Sequence, residues 1–306
     1  MEWGKPSFSK PDSSLLGKIN SIQELFDLFF RLSKVNSLER GFTTPPEYLY
    51  HVIQVALTSG AQIETINKND DVSSGLNYGY LYEQISTLIY AFVHDIGRAV
   101  EMGANHTRVG EYIAETVGFD SPVSKFTVDH HHFGLSIRDK LKGYILNKIN
   151  GTFTENKSDY VAGVLNGEKD IELEKILKPM TKFFLQRFGV SGATVLIADS
   201  SKTYTDKDNP FVPKIAMFNQ GLAKELISNQ IDKGRYVANS DEALVEAVGT
   251  RFILYLIKYL TEEYGLDYER AIEKAKEQYQ EFGKQFVQDN WQETISRNCD
   301  NVGKEV

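Results

Sequence analysis

Residues 88–100 read LIYAFVHDIGRAV. Leu88, Ile89, Phe92 and Val93 recur at the spacing that turns one face of a helix inward, and an imidazole and a carboxylate, His94 and Asp95, follow directly. A carboxylate beside an imidazole on so apolar a helix is costly to bury unless both are paired, and a divalent cation satisfies both at once. Intervals of three and four run through the whole chain. They predict helices over about 21–34, 46–58, 81–102, 107–117, 121–132, 136–149, 170–188 and 192–203. No stretch shows sustained period-two alternation with hairpin turn residues, so the expected fold class is all-α. The apolar runs LIYAFV (88–93) and FILYLI (252–257) fall far short of the roughly 20 residues that cross a bilayer. No membrane span is expected.

Composition narrows the function. A chain of 306 residues, 41% hydrophobic and 25% charged, can bury a sizeable core without disulfides. The 34 Lys+Arg against 42 Asp+Glu leave a net charge of −8, too acidic for a broad face that holds a phosphate backbone, so nucleic acid is not the expected partner. The lone cysteine, Cys299, has no intrachain partner, and MEWGKPSFSKPDSS has no apolar core of a secretory signal. Both point to the cytoplasm, where the Asn105, Asn150 and Asn156 glycosylation patterns are chance matches.

Polar stretches at 59–79 and 150–159 read as loops or insertions, and Gly118 reads as a helix stop. Past TYTDKDNPFVP the chain carries two apolar stripes. Leu244, Val248, Phe252, Tyr255, Leu256, Tyr259 and Leu260 form the first; Gly265 is placed to end that helix and Asp267 to cap the next. Tyr268, Ile272, Ala275, Tyr279, Phe282 and Phe286 form the second. Such stripes are core packing or a homodimer surface. Asp206, Asp208 and Asn209 read as a solvated turn.

All six histidines, His51, His94, His106, His130, His131 and His132, fall between positions 51 and 132, and none follows. Neutral imidazole offers one nitrogen to a transition metal and the other to an orienting partner, so this clustering suggests a metal site. His51 sits on its own apolar helix, among Leu49, Val52, Ile53 and Ala56.

AFVHDIGRAV resembles the signature of the HD superfamily of metal-dependent phosphohydrolases, with Arg98 in place of the usual lysine. His51 stands upstream as the first histidine of that pattern should, and VLIADSSKTY resembles its closing helix, with Asp199 as last ligand. Binuclear members add one histidine that opens a short helix and one that ends the next. Here His106 fits the first and the triplet of SPVSKFTVDHHHFG the second, with His131 favoured because Val128 stands three residues before it. His130 and His132 are candidates for an additional ligand or a substrate contact. Asp139 and Asp159 rival Asp199 on spacing, but neither lies on an apolar helix beside an Ala-Asp pair.

The resemblance implies an HD-type helical bundle over residues 1–205, with an insertion at about 150–190, and a C-terminal helical extension over 206–306 packed on it. It implies two divalent ions, of manganese, iron, magnesium, nickel or zinc, with Asp95 as bridge. It also implies hydrolysis of a nucleotide or another small phosphoester by hydroxide held on the metals. Arg98 and Lys202 stand three residues after Asp95 and Asp199, one helical turn on, where each could meet a phosphate oxygen. A second expectation is a di-iron oxygenase acting on a polyol or phosphonate with the same ligands, and a third a non-catalytic scaffold. The segment after the histidine triplet has no Gly-Tyr-Pro, which argues against the cyclic-dinucleotide phosphodiesterases.

Overall fold

The computed structural model describes residues 45–66, 78–99, 106–130, 157–204, 214–232 and 240–288, together with Gly234 and Val237. The expected helices over 21–34 and 136–149 lie outside the described residues, as do His131, His132, Asp139, Asp206, Asp208 and Asn209. The described chain is built of helices, which bears out the all-α reading. In order they are α1 (Pro45–Ile66), α2 (Tyr78–Val93), a 3-10 turn (Ile96–Ala99), α3 (His106–Val117), α4 (Ser121–Asp129), α5 (Lys157–Asn166), α6 (Asp170–Ser200), α7 (Gln220–Asp232), α8 (Asp241–Tyr264) and α9 (Tyr268–Gln288). One short antiparallel ribbon, β1 (Lys202–Tyr204) with β2 (Lys214–Ala216), is the exception that the periodicity does not foresee.

Several boundaries moved for identifiable reasons. Helix α1 runs on to Ile66 through residues that read as a polar loop, because Ala61 and Ile63 are buried there. The hydroxyls of Ser59 and Thr65 donate back to the carbonyls of Val55 and Gln62, so they remain satisfied inside the helix. Helix α2 stops at Val93, and His94 and Asp95 occupy a turn rather than a helix. The expected pair 170–188 and 192–203 is continuous except at Gly189, whose φ of 65° lies in the left-handed region open to glycine. That helix ends at Ser200, so Lys202 lies on β1 and is not one helical turn beyond Asp199; its expected phosphate contact loses the geometry that motivated it.

Helix ends read from sequence fare better. Gly118 follows α3 with φ 93°. Gly265 closes α8 in the left-handed conformation, and Asp267 accepts from Arg270 N–H at the start of α9.

One apolar core gathers α1, α2 and α6 with α4, α8 and α9 around it. At its centre Phe126, fully buried, lies 4.6 Å from the Tyr90 ring and 5.3 Å from Phe188, centre to centre. The histidine-free α8 and α9 pack on α6 and α1, with Leu244, Val248, Phe252, Leu256 and Leu260 all buried. An ion pair between Lys274 and Glu64 ties α9 to the helix that carries His51. Among the described residues no helix is long and apolar enough to cross a membrane.

Candidate metal centre

Five separate pieces of chain deliver side chains to one place. His51 comes from α1, His94 and Asp95 from the turn after α2, His106 from the first position of α3, His130 from the residue that caps α4, and Asp199 from the last turn of α6. Among the described residues the ligand-type atoms form two groups, each with all members within 4.8 Å of one another. The first is His51, His94, Asp95 and Asp199; the second is Asp95, His106 and His130.

Asp95 belongs to both groups, one oxygen to each. Its Oδ2 faces His51 Nε2 at 3.5 Å and His94 Nε2 at 3.7 Å, while its Oδ1 faces His106 Nε2 and His130 Nε2, both at 3.3 Å. Asp199 Oδ1 closes the first group, 3.3 Å from His51 Nε2 and 3.6 Å from His94 Nε2. The second group is fully buried, whereas the first opens to solvent through His51 and Asp199, whose side chains are 28% and 18% exposed. That side is the mouth of the site.

Backbone carbonyls set the orientation of two rings. His94 Nδ1–H donates to Ala91 O at 2.7 Å, and His130 Nδ1–H donates to Phe126 O at 3.2 Å. Each Nε2 therefore turns a lone pair toward carboxylate oxygens that also offer lone pairs. His51 Nε2 also lies 3.1 Å from His94 Nε2, where one proton serves two nitrogens. A crowd of acceptors facing acceptors is resolved by cations, and a metal-ligating imidazole commonly donates its other N–H to a carbonyl in this way. Five of these separations, 3.1 to 3.5 Å, match the spacing of roughly 3.0 to 3.5 Å between donors bound about 2.1 Å from a common ion, and those of His94 Nε2 to Asp95 and Asp199, 3.7 and 3.6 Å, lie just above it. The residues present thus fit divalent metal.

The charges agree with that fit at Asp95, Asp199 and His130, while at His51 a proton competes with metal. Burial alone would push the Asp95 carboxyl up, but the surrounding imidazoles of His94, His106, His130 and His51 hold it well below the usual carboxylate range. Asp199 is likewise raised by burial and held far down by His51 and His94. Burial lowers His130 and favours the neutral form that binds metal. Burial also pulls His51 down, but hydrogen bonds to Asp199 and Asp95 outweigh it and push the imidazole up to about 9.

A pH dependence follows. His51, raised from 6.5 to about 9, stabilises the chelator-treated fold fully below pH 6.5 and loses that contribution as pH rises through 9. The loss is about 3 kcal/mol. The two depressed carboxylates act in the opposite direction, with stability lost as pH falls below their ordinary value of 3.8. Thermal melts in chelator should therefore fall between pH 6.5 and 9. The gain in melting temperature from added Zn(II) should grow over the same interval, because metal replaces the His51 proton. A chelated melt that stays level across that range would contradict the His51 pairing.

The described members of the ligand set read from sequence are brought together, and His130, read as a candidate additional ligand, stands beside Asp95 and His106, on the buried side of α4 with Val123 and Phe126 at steps of three and four. His131, the favoured member of the triplet, lies outside the described residues. Asp159 is exposed in the first turn of α5 and belongs to neither group. Arg98, expected to meet phosphate, has its Nε 2.5 Å from Asp95 Oδ2.

Sequence reasoning also passed over Gly97. A Cβ there would run into the His106 carbonyl oxygen and come within 2.6 Å of Gly110 N, so this glycine lets the 3-10 turn press against α3 and brings Asp95 to His106. Two glycines, one after the His-Asp pair and one four residues after His106, were the available signal.

In comparison with known proteins, the chain matches no protein-family model, no curated protein and no solved structure.

Proposed function

We propose that the chain is a metal-dependent phosphohydrolase of HD type, acting on a nucleotide or another small phosphoester. The observation that supports this most is the Asp95 carboxylate, buried between two imidazole groups with one oxygen turned to each. In this reading His51, His94, Asp95 and Asp199 hold one divalent ion, and Asp95, His106 and His130 hold a second. Bound there, the ions would supply Lewis acidity and acidify a coordinated water. The protein's own part is to fix the ligands, exclude bulk water from the buried half and leave the mouth open at His51 and Asp199. Arg98, 30% exposed and paired with Asp95 Oδ2, is the cationic side chain proposed to meet a phosphate oxygen.

The test is metal analysis of protein purified without added metal, followed by a panel of phosphoesters assayed beside an oxygen electrode. Two equivalents of divalent metal and phosphate release stimulated by manganese or magnesium are expected. Oxygen consumption with a mixed-valence di-iron signal, and no phosphate released, would replace this reading with the oxygenase. Absence of metal would overturn both.

A further inference from the structure

Arg98 and the first metal group share one atom. Its Nε lies 2.5 Å from Asp95 Oδ2, the same oxygen that faces His51 Nε2 and His94 Nε2 at 3.5 and 3.7 Å. The carboxylate is buried, 3% exposed, whereas the arginine side chain is 30% exposed and reaches in from the mouth. A guanidinium and a dication compete for that oxygen, since both are drawn to its charge and each repels the other across it. The arginine is the partner that can leave, because it is long, partly solvated and anchored on a short 3-10 turn, while His94 opposite is buried and His51 is held within the long helix α1.

We propose that Arg98 is a latch that couples metal to anion binding: it pairs with Asp95 Oδ2 until a cation takes that oxygen, and then turns into the mouth to hold an anionic ligand. This rests on the cluster being the metal centre, and it adds a direction of coupling. Metal raises the affinity for the anion by making a cationic donor available, and by linkage the anion must raise the affinity for metal by the same factor. The chemical class is an oxyanion with at least two oxygens for the guanidinium fork, such as a phosphoryl or phosphonyl group.

The experiment uses the full chain with Mn(II) and inorganic phosphate as probes, at one fixed pH, in the wild type, Arg98→Gln and Arg98→Lys. Without phosphate, Arg98→Gln should bind the first Mn(II) about tenfold more tightly than wild type, since its competitor is gone. The factor by which Mn(II) tightens phosphate binding should drop about tenfold in Arg98→Gln and less in Arg98→Lys, which keeps the charge without the fork. Equal or weaker Mn(II) binding by Arg98→Gln would overturn the latch alone and make Arg98 a support that orients the ligand carboxylate. Failure of both wild type and variant to take up Mn(II) would overturn the metal centre and the latch together.

Discussion

On the proposed two-ion reading, Asp95→Asn should lose both metal ions at once, with metal content falling from two equivalents to below a tenth and the proposed hydrolysis falling with it. No other side chain in the cluster has this reach, because Asp95 alone presents an oxygen to each group. Asparagine preserves the shape but removes the charge, leaving one weak carbonyl donor and an N–H₂ aimed at imidazole lone pairs. His94→Ala or Asp199→Asn should be milder in a diagnostic way. Each cripples the first group, leaves Asp95, His106 and His130 intact, and should retain close to one equivalent. The protein should survive Asp95→Asn as a fold, because its core is carried by the apolar packing of Phe126, Phe184 and Phe252 and by the α1–α9 contact, which the amide leaves in place. The measurement is metal content by elemental analysis beside a circular dichroism melt. Two equivalents retained in folded Asp95→Asn would remove the bridging carboxylate from the account.

Much of this centre was legible in the sequence, and the limits were geometric. His51, His94, Asp95, His106 and Asp199 were readable because each is a polar ligand type set in an apolar or helix-opening context, and helical spacing carries that information. The histidine triplet was harder. Val128 and Phe126 are both buried, so two readings of the same face, one residue apart, favour His131 or His130. His130, the residue that caps α4, is in the second group, and helix ends are set by tertiary contacts as much as by local residues. The placing of Lys202 on the helix of Asp199 failed for the same reason. A helix continued by periodicity past Ser200 places it beside Asp199, but the chain leaves the helix there and pairs with residues 214–216. The polar reading of residues 59–66 failed because hydroxyls that bond to their own helix let a polar sequence run through a buried site.

What no spacing rule conveys is the contact between backbones. The arrangement of Asp95 against His106 depends on how closely the 3-10 turn Ile96–Ala99 approaches α3, and that approach is governed by atoms every residue shares. The Gly97–Gly110 pair removes two Cβ atoms from the crossing, and it turns an adjacent His and Asp into one side of a two-group site. Arg98 depends on the same turn, whose Arg98 N–H donates to Asp95 O at 2.9 Å, folding the guanidinium back over its own carboxylate.

Gly97→Ala is accordingly expected to do the largest structural damage of any single methyl in the described residues. The added carbon would overlap the His106 carbonyl oxygen and lie 2.6 Å from Gly110 N and 2.7 Å from His106 carbonyl carbon. All three are backbone atoms, so no rotamer change relieves the clash and the turn must separate from α3. The cost should be on the order of 3 kcal/mol or more, at the upper end for overpacking. Separation would also draw His106 from Asp95 Oδ1, so the second group should open before the first. A folded fraction of Gly97→Ala is then expected to hold about one equivalent of metal instead of two. Gly110→Ala supplies the comparison on the same crossing. Its nearest contacts would be 3.2 Å to Gly97 N and 3.3 Å to Thr127 Cβ, tight but outside overlap, so its loss should be roughly 1 kcal/mol with both ions retained. Urea unfolding with and without chelator, alongside metal analysis, reads both quantities. If Gly97→Ala unfolds at the wild-type midpoint and keeps two ions, the close crossing is not what brings Asp95 to His106.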